Sequence, residues 1–138
     1  MRAVLIAALV ASAVAGAAHA APDHRKAPKL VVASFTGDPV KGAALYESQC
    51  TACHSLDMNR IGPAHRGVVG RKAGTEPGFD YSPALKRAKI TWTPANLDRW
   101  LSGPINMIPG VRMGFSLDKA EDRHNVIAYL ATQTVKKP

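Results

Sequence analysis

The sequence predicts a small all-α domain wound around something the polypeptide alone does not supply, and three observations predict it. A capping residue followed by proline occurs three times, at Asp38-Pro39, Ser82-Pro83 and Thr93-Pro94, and each pair is a helix start. No stretch makes a convincing strand, so the sequence offers helices and no sheet. The connectors 60–80 and 102–116 are rich in Gly and Pro, and they are unusually long for a compact domain unless they fold over something.

The elements follow in chain order. Met1 and Arg2 are a short positive start, Ala3 to Ala18 is almost wholly apolar, and Ala18-His19-Ala20 puts small residues at both critical cleavage positions. This is the pattern of a secretory signal peptide over residues 1–20. The run is too short for a membrane span, which needs about 18 residues or more, and no second apolar run of comparable length follows it. Removing twenty of the 138 residues leaves 118, and the loss of Arg2 takes the net charge from +8 to +7. Residues 21–36, APDHRKAPKLVVASFT, begin as a polar linker and end in the apolar run Leu30 to Phe35, which reads as an extended arm. The domain proper is 37–138. Its first helix opens at Asp38-Pro39, and Val40, Ala43, Ala44 and Ala52 continue a helical rhythm towards His54. Short helices follow near 83–88 and 94–101, the latter carrying Leu97, Trp100 and Leu101. Asp118 with Glu121 resembles a capping box, followed by Val126, Ile127 and Leu130 on one helical stripe.

An exported domain this small often relies on disulfides. That route is closed here, because Cys50 and Cys53 are the only two cysteines and a loop of two residues restrains almost nothing. Their context is Cys50-Thr51-Ala52-Cys53-His54, the Cys-x-x-Cys-His pattern of covalent c-type haem attachment. Two thiols one helical turn apart reach the two vinyl groups along one porphyrin edge, and the next residue brings its imidazole to the iron. A zinc site needs four ligands and finds no second Cys pair. A redox dithiol needs a βαβ setting, which residues 40–56 do not provide.

A ligand on the opposite face of the iron separates electron carriers from open, reactive haems. Met58 lies four residues after His54, too close to cross the ring edge. Met107 and Met113 both lie far enough along. Met113 follows the turn Ile108-Pro109-Gly110, a rigid bend suited to presenting a thioether, whereas Met107 reads as a packing residue. His65 and His124 are the remaining candidates, and both read as surface residues.

From Gly37 to Leu130 the residues resemble the class I c-type cytochromes, the family of mitochondrial cytochrome c and its small bacterial relatives. The resemblance is carried by Gly37-Asp38, CTACH, Gly62-Pro63, Gly70-Arg71-Lys72 with Gly74, Pro77-Gly78-Phe79 with Tyr81, Ile90-Thr91-Trp92, Ile108-Pro109-Gly110 with Met113 and Phe115, and Ile127-Ala128-Tyr129-Leu130. It implies four to five helices around one haem c, with the terminal helices crossing. It further implies thioether links at Cys50 and Cys53, and His54 and Met113 as the iron ligands. By the same resemblance the Pro63 carbonyl orients His54, Arg71, Tyr81 and Trp92 are donors to the haem propionates, and Trp100 and Phe115 pack the pocket. Gly42 costs about 1 kcal/mol inside a helix, and the resemblance gives that cost a reason. Val126 and Tyr129 would cross against Gly42 and Tyr46 at a close helix contact.

An iron ligated on both faces has no position for substrate, so the expected role is not enzymatic. It is that of a soluble periplasmic monomer shuttling single electrons between redox proteins, a donor and an acceptor such as a respiratory or dehydrogenase complex. A haem subunit of a larger periplasmic dehydrogenase or reductase is the alternative, for which the apolar arm speaks. No stable membrane insertion is expected. Nor is a nucleic-acid partner expected, because the positive charge is scattered. The chain departs from the mitochondrial pattern at Gln49 and at Ile105-Asn106-Met107, where lysines would ring the haem edge, and Arg112 keeps one such charge. Positive charge sits instead at Arg25-Lys26, Lys86-Arg87 and Lys136-Lys137, which points to apolar docking. Val111 and Leu85 replace polar residues of the family and make the pocket drier.

Overall fold

The structure, a computed structural model, describes residues 36–135. The expected signal peptide, nearly all of the expected arm and the Lys136-Lys137 pair lie outside the described residues. Among the described residues five helices follow one another: α1 Pro39–Gln49, α2 Pro83–Arg87, α3 Pro94–Ser102, α4 Pro104–Met107 and α5 Ala120–Thr132. Among the described residues the only β pairing is one antiparallel bridge, between Lys72 and Thr91.

Proline opens four of the five helices, at a position whose missing N–H would have no helical partner. At three of these starts a side chain caps the exposed N–H groups. Asp38 accepts from Val40 N–H at 2.8 Å and Lys41 N–H at 3.3 Å. Ser82 accepts from Leu85 N–H at 3.3 Å, and Thr93 from Asn96 N–H at 3.2 Å. The helix α4 is the exception, with Gly103 before Pro104 and no side-chain cap. Without a capping residue and only four residues long, it is absent from the sequence reading, which left 102–116 as connector.

The capping box expected at Asp118 and Glu121 does not form. The N-cap is Lys119, with no side-chain cap bond. Arg123 takes over the organisation of this end. Its Nη1 donates to the carbonyls of Leu117 and Asp118 at 2.9 and 2.7 Å, and its Nε to Asp98 on α3 at 2.7 Å. Glu121 and Asp122 still favour the first turn of α5 through the helix dipole. With the Arg123 side chain only 12% exposed, Arg123→Ala strands a carboxylate and two carbonyls. The expected loss is about 2 kcal/mol, read as a lower midpoint in denaturant unfolding.

The core lies where α1 and α3 pack on α5. Tyr46 of α1, Leu97, Trp100 and Leu101 of α3, and Val126, Ile127 and Leu130 of α5 are buried, and the long connectors add Val68, Ala73, Tyr81, Trp92 and Leu117. Each buried aliphatic of this kind stabilises by about 1.5 to 3 kcal/mol. The α1–α5 crossing is close. A Cβ on Gly42 would lie 1.9 Å from the Asn125 carbonyl oxygen and 2.8 Å from the Tyr129 Cβ, and one on Gly37 would lie 2.1 Å from the His124 oxygen. Tyr46 and Tyr129 complete the contact with ring centroids 5.3 Å apart. Buried Asn125 accepts from Asp38 N–H at 2.8 Å, tying the start of α1 to α5.

Candidate haem site

Helix α1 stops before the motif. Cys50 is its C-cap, and the expected continuation to His54 is instead a tight turn in which the N–H groups of Cys53 and His54 both reach the Cys50 carbonyl, at 3.1 and 2.9 Å. Cys50 is thereby half-buried against the core and Cys53 exposed. Burial, reinforced by Cys53, pushes the Cys50 thiol up to about 11.

His54 is held from two sides. Its Nδ1 stands 2.9 Å from the Pro63 carbonyl oxygen. A carbonyl only accepts, so Nδ1 carries the proton and the lone pair is left on Nε2. Burial lowers the His54 pKa, with the Pro63 bond opposing in part, so the ring is neutral at neutral pH, as a metal ligand must be. A Cβ on Gly62 would lie 2.1 Å from the His54 Cε1. Gly62 is therefore required by the ring beside it.

His65 is not the surface residue the sequence suggested. It stacks on His54 with centroids 4.0 Å apart and planes 20° from parallel, and its Nδ1 lies 3.2 Å from the Tyr46 hydroxyl. Burial, then the nearby His54 and Arg71, bring its pKa down to about 3. A ring stacked on His54 in this way is not placed to approach a metal from the opposite side. His124, on α5, is partly exposed with its Nε2 3.6 Å from Asp98.

Arg71, Tyr81 and Trp92 are brought together by the connector and the single bridge. Trp92 N–H donates to the Arg71 carbonyl at 2.8 Å. The Arg71 Nη2 donates to the Ala64 carbonyl at 2.7 Å and Nη1 pairs with the Glu76 carboxylate. The buried Tyr81 hydroxyl accepts from Glu76 N–H at 3.3 Å. One atom is left over: Arg71 Nε is buried without a hydrogen-bond partner. A buried, unpaired guanidinium N–H fits an anionic group such as a haem propionate. Sequence reasoning missed Glu76. Its signal was isolation, since it is the sole acidic residue between Asp57 and Asp80.

Trp100 is buried beside Trp92, ring centroids 5.1 Å apart. Met113 and Met107 are both partly buried against the core. Met113 follows a turn closed by Val111 N–H on the Ile108 carbonyl at 3.4 Å, with Gly110 at φ +88°, the type II arrangement that Pro-Gly favours. Phe115 is 39% exposed and Met58 66%. Among the described residues no group of three or more His, Cys, Asp and Glu stands ready to hold a bare metal ion. The thiol pair, the neutral imidazole with a free Nε2 and the unpaired Arg71 Nε together suit a covalently attached haem.

Comparison with known proteins agrees. The family model described as Cytochrome c matches residues 39–134. A cytochrome c2 from Rhodomicrobium vannielii is 46% identical over 101 residues, 70% of this chain and 80% of that protein. A cytochrome c from Gibberella zeae is 42% identical, over 71% of this chain and 96% of that protein. The solved structure of cytochrome cH from Methylobacterium extorquens superposes with a TM-score of 0.67 at 38% identity, covering 70% of this chain and 99% of its own. Matching the family over almost the whole described region, and carrying the Cys50-x-x-Cys53-His54 segment by which it holds one covalent haem c, the chain belongs to the cytochrome c family.

Proposed function

We propose that this cytochrome is a periplasmic one-electron carrier whose haem iron is ligated by His54 and Met113. The observation that carries the reading is the locked His54: Nδ1–H is committed to Pro63 and Nε2 is free. The haem, when bound, supplies one-electron exchange between ferrous and ferric iron. The chain does the rest. Cys50 and Cys53 fasten the cofactor so that it is not lost outside the cytoplasm. The Pro63 carbonyl fixes the imidazole plane and raises its basicity. Arg71, Tyr81 and Trp92 offset the charge of the propionates, while Trp100 and Phe115 keep water from the ring. A Met113 thioether opposite His54 closes the iron to substrate and favours the ferrous state.

The signal-peptide pattern of residues 1–20, with cleavage expected after Ala20, supports the periplasmic location. Among the described residues no helix is long and apolar enough to cross a membrane. Electron donor and acceptor are redox proteins met by a monomeric carrier at the haem edge. The residues near that edge support apolar docking. Ile105 is 54% exposed, and Arg112 is drawn to Asp80, donating to its carbonyl at 3.0 Å with its carboxylate 3.5 Å away. Raising ionic strength from 0.01 to 0.2 M, which shortens the screening length from about 30 to below 10 Å, is expected to change electron-transfer rates with a redox partner less than threefold. A steep fall with salt, measured by stopped flow, would refute apolar docking. The ligation is tested on the oxidised protein: a low-spin spectrum with a methionine-to-iron band and a single one-electron wave is expected, and high-spin iron would overturn the closed site.

A further inference from the structure

We infer that Glu76 is a positioning residue for the propionate-facing donors and a fixed negative charge that holds the haem potential down. The inference rests on the reading that Arg71 and Tyr81 face the propionates. Arg71 and Glu76 form an ion pair whose side chains are 16% and 18% exposed, in the wall of a cleft of about 480 Å³. A guanidinium is a rigid plane with five donors. Fastening Nη1 to Glu76 and Nη2 to the Ala64 carbonyl fixes that plane, and so fixes where the unpaired Nε points. Glu76 acts on the second donor too. Its backbone N–H occupies a lone pair of the Tyr81 oxygen at 3.3 Å, leaving the phenol proton free to be donated. The other acid lining this cleft, Asp57, is held by Arg66 at 2.5 and 2.9 Å, which leaves Glu76 as the carboxylate on Arg71.

The electrostatic sign is unambiguous. A positive Arg71 near the haem disfavours ferric iron, and the Glu76 carboxylate cancels part of that field. In a partly buried setting a single charge acts appreciably across about 10 Å. Glu76→Gln in the haem-loaded protein is therefore expected to shift the ferrous-to-ferric ratio at fixed ambient potential about three- to tenfold towards ferrous. At about 59 mV per tenfold for one electron, that is a rise of about 30 to 60 mV.

The test compares midpoint potentials of the wild type, Glu76→Gln, Glu76→Asp and Arg71→Gln by spectroscopic redox titration. Glu76→Gln should lie higher, Glu76→Asp close to wild type, and Arg71→Gln lower. An unchanged or lower potential in Glu76→Gln, with Arg71→Gln displaced, would overturn the role of Glu76 and leave the propionate reading standing. An unmoved Arg71→Gln would remove that reading itself, and with it the inference. Should Glu76→Gln fail to accumulate because it strands Arg71, the double variant Arg71→Gln/Glu76→Gln removes both charges together. It must then lie above Arg71→Gln by the same margin, and equality of the two would refute the inference.

Discussion

Gly42→Val lowers the stability of this cytochrome by about 3 kcal/mol, at the upper end of what overpacking costs. For a described domain of this size that is a fall in melting temperature of about 12 to 24 °C. The reason is distance. The first side-chain carbon would lie 1.9 Å from the Asn125 carbonyl oxygen and 2.8 Å from the Tyr129 Cβ. The obstacle at Asn125 is backbone, which no rotamer change removes. The alanine variant sharpens the test, because a glycine inside a freely exposed helix gains about 1 kcal/mol on becoming alanine. Here Gly42→Ala is expected to lose stability, as the same Cβ meets the same carbonyl. The separation of α1 from α5 would also stretch the Asp38 N–H to Asn125 bond, 2.8 Å in the native chain. Far-UV circular dichroism melts of the haem-loaded wild type, alanine and valine forms decide the matter. A melting temperature equal to or above wild type in both variants would show that the crossing does not depend on this glycine.

Most of the architecture is legible because its signals are local. Asp38-Pro39, Ser82-Pro83 and Thr93-Pro94 announce three helices, and all three cap side chains make their bonds. Gly42 is legible for the opposite reason, as a residue that local propensity argues against and only a close neighbour explains. The failures are cases in which a distant residue wins. Asp118 and Glu121 have capping-box spacing, but Arg123 bridges to Asp98 and to two carbonyls, and the helix starts one residue later than the box implied. The helix α4 has proline without a cap and only one turn of chain. His65 looks like a surface residue in a connector. Its place against His54 and Tyr46 depends on residues 11 and 19 positions away, a proximity no periodicity encodes. Glu76 escaped for the same reason: its partners Arg71 and Tyr81 lie on a connector with no regular register, so spacing gave no cue that the three meet. Of the candidate site, the Cys50 to His54 segment was readable outright, because covalent attachment demands one spacing. Arg71, Tyr81 and Trp92 were legible only through the family resemblance, since no spacing marks them, and the Glu76 partner of Arg71 needed the fold.

Met113→Ala abolishes the methionine-to-iron band of the oxidised protein and lowers the midpoint potential by on the order of 0.1 V or more, within the span of about 0.8 V that axial ligands command. Met107→Ala leaves band and potential unchanged. The two methionines make an informative pair because burial does not distinguish them: both are partly buried against the core. What differs is the chain that carries them. Met107 ends a single-turn helix and is held by its backbone bond to Gly103 at 3.0 Å. Met113 stands beyond a turn whose geometry is set twice, by the fixed φ of Pro109 and by Gly110 at φ +88°, a conformation few side chains tolerate. A rigid turn holds a thioether in place at little entropic cost, so the ligand does not have to be drawn from a flexible loop. The variant with alanine at 113 should also bind added imidazole or cyanide without the lag that displacing a ligand imposes. Retention of the original spectrum and potential by Met113→Ala would assign the second ligand elsewhere. Loss of both in Met107→Ala would place it on α4 and make the Pro-Gly turn a structural bend alone.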